Sequence, residues 1–130
     1  MHKEDVTPRV QAVLSEIAGA LDRLSSDNEG WTVFIDKMGL NREERQLIRE
    51  ILGQGAIRIK LEGSLEPAEW LETGISGVWY GVFYDPSERP ILETIEVGFF
   101  PQVAAAQSED IQTGRTLLGR RIADLAGTEV

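Results

Sequence analysis

The run "ISGVWYGVFY", Ile75 to Tyr84, limits the fold more than any other stretch of this chain. Read as one strand, its odd positions (Ile75, Gly77, Trp79, Gly81, Phe83) and its even positions (Ser76, Val78, Tyr80, Val82, Tyr84) are both largely apolar. Successive side chains of a strand point to opposite faces, so a strand with one wet face alternates apolar with polar. This one needs cover on both sides, from its own domain or from a partner. Gly77 and Gly81 lie on the Trp79 side, and a strand gives up side chains where a ring or a backbone comes close. The expectation is that Ile75, Trp79 and Phe83 pack beneath helices, leaving Val78, Tyr80, Val82 and Tyr84 as an apolar face kept for something else.

The flanking sequence supplies the rest of a sheet. In Ile57 to Glu62, Ile57, Ile59 and Leu61 alternate with Arg58, Lys60 and Glu62; further β-prone runs are "WTVFI" (Trp31 to Ile35), a segment within Glu66 to Thr73, and Ile91 to Val97. "DPSERP" joins the last two strands as a polar hairpin loop, and short connections favour antiparallel pairing. Helical periodicity appears on both sides of this region. Val10, Val13, Leu14, Ile17, Leu21 and Leu24 form one stripe over residues 8–26, behind Thr7 as N-cap and Pro8 at the first helical position. Asn41 caps a second helix over 41–52, whose apolar face is Leu47, Ile48, Ile51 and Leu52 and which Gly53 ends. Ser108 opens a third over 108–126, with Ile111, Leu118, Ile122 and Leu125 on one face. The fold class expected is α+β: one domain over residues 1–130, with a sheet of four to five antiparallel strands in 56–98 and its border, and the N-terminal and C-terminal helices packed on one face.

Residue usage removes most chemistries. With no cysteine, the chain forms no disulfide, thiolate metal site or iron-sulfur ligation, and its single histidine, His2, lies at a terminus. No apolar run approaches a membrane span, and "MHKEDVTPRV" lacks the apolar core of a secretory signal, so the cytoplasm is the expected location. Between Glu62 and Phe100 eight acidic residues face one base, Arg89, which places -7 of the net -9 in the strand region. That field disfavours nucleic acid and suits a basic polypeptide. Glu72 and Glu93 form the one carboxylate pair to consider for acid-base work, yet no nucleophile, histidine or phosphate-binding loop accompanies them. No catalytic residue, metal site or cofactor is expected. The aromatic residues favour a protein partner instead, with Trp70, Tyr80 and Tyr84 giving apolar contact and Glu69, Glu72, Glu93 and Glu96 attracting basic groups. A homodimer through the Tyr80 and Tyr84 face is the alternative use of the same surface.

Three segments carry a family resemblance: "ILGQGAIRIKLEG" (Ile51 to Gly63), "ETGISGVWYGVFYD" (Glu72 to Asp85) and "LETIEV" (Leu92 to Val97). Their order and spacing resemble the C-terminal domain of the HupH/HyaF hydrogenase expression proteins, in which an LG-x-G turn leads into a strand and an E-T-x3-G-V-W segment follows, here Glu72, Thr73, Gly77, Val78 and Trp79. The resemblance covers roughly Trp31 to Gln107. It implies a non-catalytic accessory protein, or chaperone, in the maturation of nickel-iron uptake hydrogenases. The implied partner is an immature subunit, above all the iron-sulfur-bearing small subunit with its twin-arginine export signal, or another maturation protein.

Overall fold

The computed structural model describes residues 6–127, so His2 lies outside the described residues. The chain runs α1 (Pro8–Asp27), β1 (Trp31–Phe34), a single 3-10 turn (Ile35–Lys37), α2 (Arg42–Leu52), β2 (Arg58–Leu61), β3 (Ala68–Glu72), β4 (Val78–Tyr84), β5 (Pro90–Val97) and α3 (Ser108–Gly127). The strands form one antiparallel sheet in the order β1-β5-β4-β3-β2. This is the expected α+β class, with five strands and helices at both ends of the chain. Asp85 closes the β4–β5 hairpin, its Oδ1 accepting the backbone N–H groups of Ser87 (2.8 Å) and Arg89 (2.9 Å).

Local capping explains where the first two helices begin. Thr7 Oγ1 accepts the Val10 N–H at 3.3 Å. Asn41 and Glu44 form a reciprocal capping box, with Asn41 Oδ1 accepting from Glu44 N–H (2.8 Å) and Glu44 Oε1 from Asn41 N–H (3.0 Å). The Thr7 hydroxyl also donates to Glu44 Oε2, tying the two helix starts together. The Asn41 N–H first, and the Thr7 hydroxyl second, hold the Glu44 carboxyl below its ordinary pKa.

Which face the helices cover is the reverse of the expectation. Val10, Val13, Ile17, Ala20 and Leu24 of α1, and Leu47, Ile48 and Leu52 of α2, pack on Val33, Val78, Tyr80, Ile95 and Val97. The even positions of β4 are thus the main core, and Tyr80 is 6% exposed within it. Ile75 does not continue the strand. Residues 73–78 form a turn in which the Thr73 hydroxyl donates to the Val78 carbonyl (2.9 Å) and accepts the Ile75 N–H (3.1 Å). Gly77, at φ +90, lets the chain pass beneath Leu21 and Leu24 of α1.

The reversal follows from where α2 ends. Gly74 N–H donates to the last-turn carbonyl of Leu52 (2.9 Å), and Gly55 N–H to the carbonyl of Glu72 (2.8 Å). A Cβ on Gly74 would lie 3.0 Å from the Leu52 oxygen, and one on Gly55 would lie 2.6 Å from both Glu72 Oε1 and the Thr73 oxygen. Backbone packed this closely pins the end of α2 to the β3–β4 turn on the Tyr80 side. Polar groups then complete the interface. Tyr80 donates its hydroxyl to Glu93 Oε2 (2.7 Å), Arg45 bridges Glu93 and Asp36 (3.2 Å each), and the Arg49 guanidinium stacks 4.3 Å from the Tyr80 ring centroid.

The C-terminal helix also departs from the expectation of packing on the sheet. No described residue of α3 is buried. Ile111, Leu118, Ile122 and Leu125 are all exposed. With α1 and α2 filling the Tyr80 side, the chain after β5 passes to the other side of the sheet, and α3 starts from there.

Burial raises the Tyr80 phenol well above its ordinary pKa near 10, and the hydrogen bond and negative charge of Glu93 raise it further. The folded protein therefore keeps Tyr80 neutral where the unfolded chain ionises it. Stability is expected to hold below about pH 10 and to fall as pH rises above that. Tyr80→Phe should cost about 1–2 kcal/mol at neutral pH and flatten the alkaline decline. Urea unfolding at pH 8 and pH 11 checks both; an equal alkaline decline in the variant would remove Tyr80 as its source.

Candidate functional site

The second face of the sheet carries the odd positions of β4. By register Trp79, Gly81 and Phe83 share it with Thr32 and Phe34 of β1, Leu92, Thr94 and Glu96 of β5, Ala68 and Trp70 of β3, and Ile59 and Leu61 of β2. Ala68, Trp70 and Trp79 form a small core of their own, against which Ile59, Leu61, Phe83 and Ala104 pack. Among the described residues no helix packs on it. Its only cover among the described residues is the strap of residues 98–107. The Trp79 indole N–H donates to the Gly98 carbonyl (3.1 Å), the ring meets Phe100 edge-on at 6.0 Å, and Glu96 Oε1 accepts the Gln102 N–H (2.9 Å).

The strap covers only part of this face. Between it and β1 lies a cleft of about 580 Å³ walled by Phe34, Phe83, Leu92 and Val103, with Thr94 and Glu96 among its polar groups. On this face Phe34 is exposed, and so are Phe99, Phe100 and Val103 of the strap. Several large apolar groups together in water on one face are the usual mark of an interaction surface.

The floor of the face is set by Gly81. A Cβ there would meet Thr94 Oγ1 at 2.6 Å and the Trp70 indole at 3.0 Å. Trp70 is wholly buried and meets Phe83 edge-on at 5.6 Å. Neither Trp70 Nε1 nor Thr94 Oγ1 has a hydrogen-bond partner among the described residues.

The residues expected to contact a partner therefore divide. Tyr80 and Trp70 are buried on opposite sides of the sheet and offer no free surface, and burial of Tyr80 within its own core also removes the homodimer through that face. Glu93 lies on the helix side, held by Tyr80 and Arg45. Glu72 belongs by register to the Trp79 side, where its Oε1 accepts the Ala56 N–H (3.1 Å). The two carboxylates considered as an acid-base pair thus sit on opposite faces. Glu69 pairs with Arg58 (2.9 Å) and, with Tyr84, lines a small cleft at the β2–β3 edge. Glu96 is on the aromatic face itself. Sequence reasoning missed Phe34, Leu92 and Val103, whose only signal was alternation within short runs. Among the described residues no group of histidine, aspartate or glutamate could hold a metal ion, and no helix is long and apolar enough to cross a membrane.

Gly81→Ala should destabilise the fold by about 1–3 kcal/mol, because the methyl group must displace Trp70 or Thr94. Gly119→Ala, with open space around it in α3, should be neutral or stabilising by up to about 1 kcal/mol. Chemical denaturation of the two variants tests the contrast, and equal effects would contradict the packing at Gly81.

Comparison with known proteins places this architecture. The model of the HupH hydrogenase expression protein C-terminal conserved region matches residues 9–125, which takes in α1, the whole sheet and nearly all of α3. The chain is 36% identical over 69 residues to the hydrogenase expression/formation protein HoxQ of Azotobacter vinelandii, covering 53% of this chain and 24% of that protein. It is 27% identical over 109 residues to HupH of Rhizobium leguminosarum bv. viciae (84% and 38%), and 34% identical over 95 residues to HoxQ of Cupriavidus necator (73% and 32%). It thus spans about a quarter to two-fifths of the length of these relatives. The solved structure of the hydrogenase expression protein HupH from Thiobacillus denitrificans superposes with a TM-score of 0.82 at 25% identity, over 91% of this chain and 98% of that one. By sequence, by extent and by fold, the chain belongs to the HupH hydrogenase expression protein family and carries that family's C-terminal conserved region.

Proposed function

We propose that this chain is a non-catalytic, cytoplasmic accessory protein in the maturation of a nickel-iron hydrogenase, holding an immature subunit on its aromatic sheet face. The family match over residues 9–125 carries the reading, since the relatives are named hydrogenase expression/formation proteins. We put such a client on the open part of the aromatic face. The cleft of Phe34, Phe83, Leu92 and Val103 can take apolar side chains, and Glu96 with the acidic strand region favours a basic segment. The small subunit precursor, with its basic export signal, is the client whose chemistry fits best. Tyr84 and Glu69 at the β2–β3 edge, and Glu72 beside the Gly55 turn, extend the acidic surface around the sheet.

Capture of the small subunit precursor by the tagged chain tests this. Phe34→Asp with Val103→Glu changes two exposed positions of the cleft and is expected to reduce capture at least about tenfold, the order of magnitude for losing two interface anchors. Undiminished capture would move the client off this face. In a host that makes the hydrogenase, deleting the gene should lower active enzyme and leave precursor unprocessed; unchanged activity would end the maturation role.

A further inference from the structure

The helix α3 has no internal reason to stand alone. It is a 20-residue helix with two glycines in its interior, Gly114 and Gly119, a third, Gly127, at its end, and no buried residue among those described. Isolated helices of this length are marginal in water, and most helical stability in proteins comes from packing an apolar face. Ile111, Leu118 and Ile122 form such a face, exposed by 58%, 59% and 59%. At about 100° per residue Arg115 and Arg121 border this stripe on its two sides, while Glu109, Arg120 and Asp124 fall on the far side.

The start of α3 is fixed. Ala104 and Ala105 N–H groups donate to the Pro101 carbonyl (3.1 Å each), and the Gln107 side chain donates to the carbonyls of Gln102 and Ala105 (2.9 Å each). Pro101 is buried. The strap thus sets the start of α3 beside the cleft that its own residues Val103 and Gln107 help to line, while no described residue of α3 itself lines that cleft. One chain therefore carries an apolar cleft that it leaves open and an apolar helix that it leaves bare. The match to the family region runs to residue 125, so the helix is part of the shared domain and not an appendage.

We propose that α3 docks on the aromatic sheet face of a second copy of this chain, giving a two-fold dimer in which the two helices are exchanged. Both surfaces come from one sequence, which is the requirement for an isologous contact. Their charges agree, because arginines border the helix stripe and the cleft holds Glu96 within a strand region of net charge -7. The size agrees as well. A helix about 30 Å long laid along a sheet covers a strip about 10 Å wide, and two such contacts bury about 1,200 Å² in total, the lower bound for a specific dimer. A hydrogenase subunit bound on the same face would compete with the exchanged helix, but the dimer does not depend on that client.

Sedimentation equilibrium of the full chain is the test. The wild type is expected to be a dimer at 100 μM, and both Leu118→Glu/Ile122→Glu, which alters the helix, and Phe34→Asp/Val103→Glu, which alters the cleft, should sediment as monomers, with at least about a hundredfold weaker association. Near-ultraviolet dichroism from Trp70 and Trp79 reports whether each variant keeps its fold, and Leu117→Glu, off the stripe, serves as the second helix variant, expected to remain dimeric. A monomeric wild type overturns the proposal. So does a dimer that survives the helix substitutions, or one lost by the helix substitutions and kept by the cleft substitutions, which would mean helix-to-helix pairing. Failure to capture the hydrogenase precursor would leave these results unchanged and count only against the client.

Discussion

The close approach of two backbone segments, residues 52–56 at the end of α2 and residues 72–74 at the end of β3, determines how the layers of this protein are arranged. Two interbackbone hydrogen bonds and a third from Ala56 N–H to the Glu72 carboxylate cross it. Side chains at Gly55 or Gly74 would force the segments apart. Because α2 is fastened there, its apolar face must fall on the even positions of β4, and α1, joined to α2 by the Thr7–Glu44 contact and by shared core residues, follows. The aromatic odd positions are then left to the strap and to whatever else covers them.

Trp79 and Tyr80 show how neighbouring residues of one strand are stabilised in different surroundings. Each brings a large apolar body with one polar atom that has to be satisfied once buried. Tyr80 finds Glu93 on β5 and an arginine above its ring, so it can sit deep beneath α2. Trp79 finds the Gly98 carbonyl, available only where the chain leaves β5 and turns across the other face. The strap is therefore more than a connection: it supplies the acceptor that makes an aromatic second core tenable without a helix above it.

Much of this was legible in the sequence, and the part that was not has a definite physical cause. Period 3.6 in Val10 to Leu24 and period 2 in Ile57 to Glu62 report burial directly, so helices and antiparallel strands could be read from them. The double-sided apolar run of β4 correctly called for cover on both faces. Periodicity, however, states that two faces differ in residue and not which of them meets the helices. That choice rests on the Gly74–Leu52 bond, a long-range contact between residues whose sequence gives no sign of pairing. Gly81 on the Trp79 side suggested a nearby ring, and Trp70 is that ring; the inference to helices above it failed because the ring comes from the adjacent strand. The stripe of α3 was equally readable, whereas its exposure depends on where the strap sets the helix down.

The residues that make this family recognisable are, on this structure, builders of the junction. Glu72 holds the Ala56 N–H, Thr73 closes the β3–β4 turn, Gly77 passes under α1, and Trp79 anchors the strap. A pattern of this kind identifies a fold with high specificity because each position answers a backbone requirement that few other residues meet. By the same reasoning it says little about exposed apolar positions such as Phe34, Val103 and the α3 stripe, where many apolar residues would serve. Recognition of the family and recognition of an open apolar face thus depend on different residues, and the second could be approached only once the first had been folded into a sheet whose other face the strap covers in part.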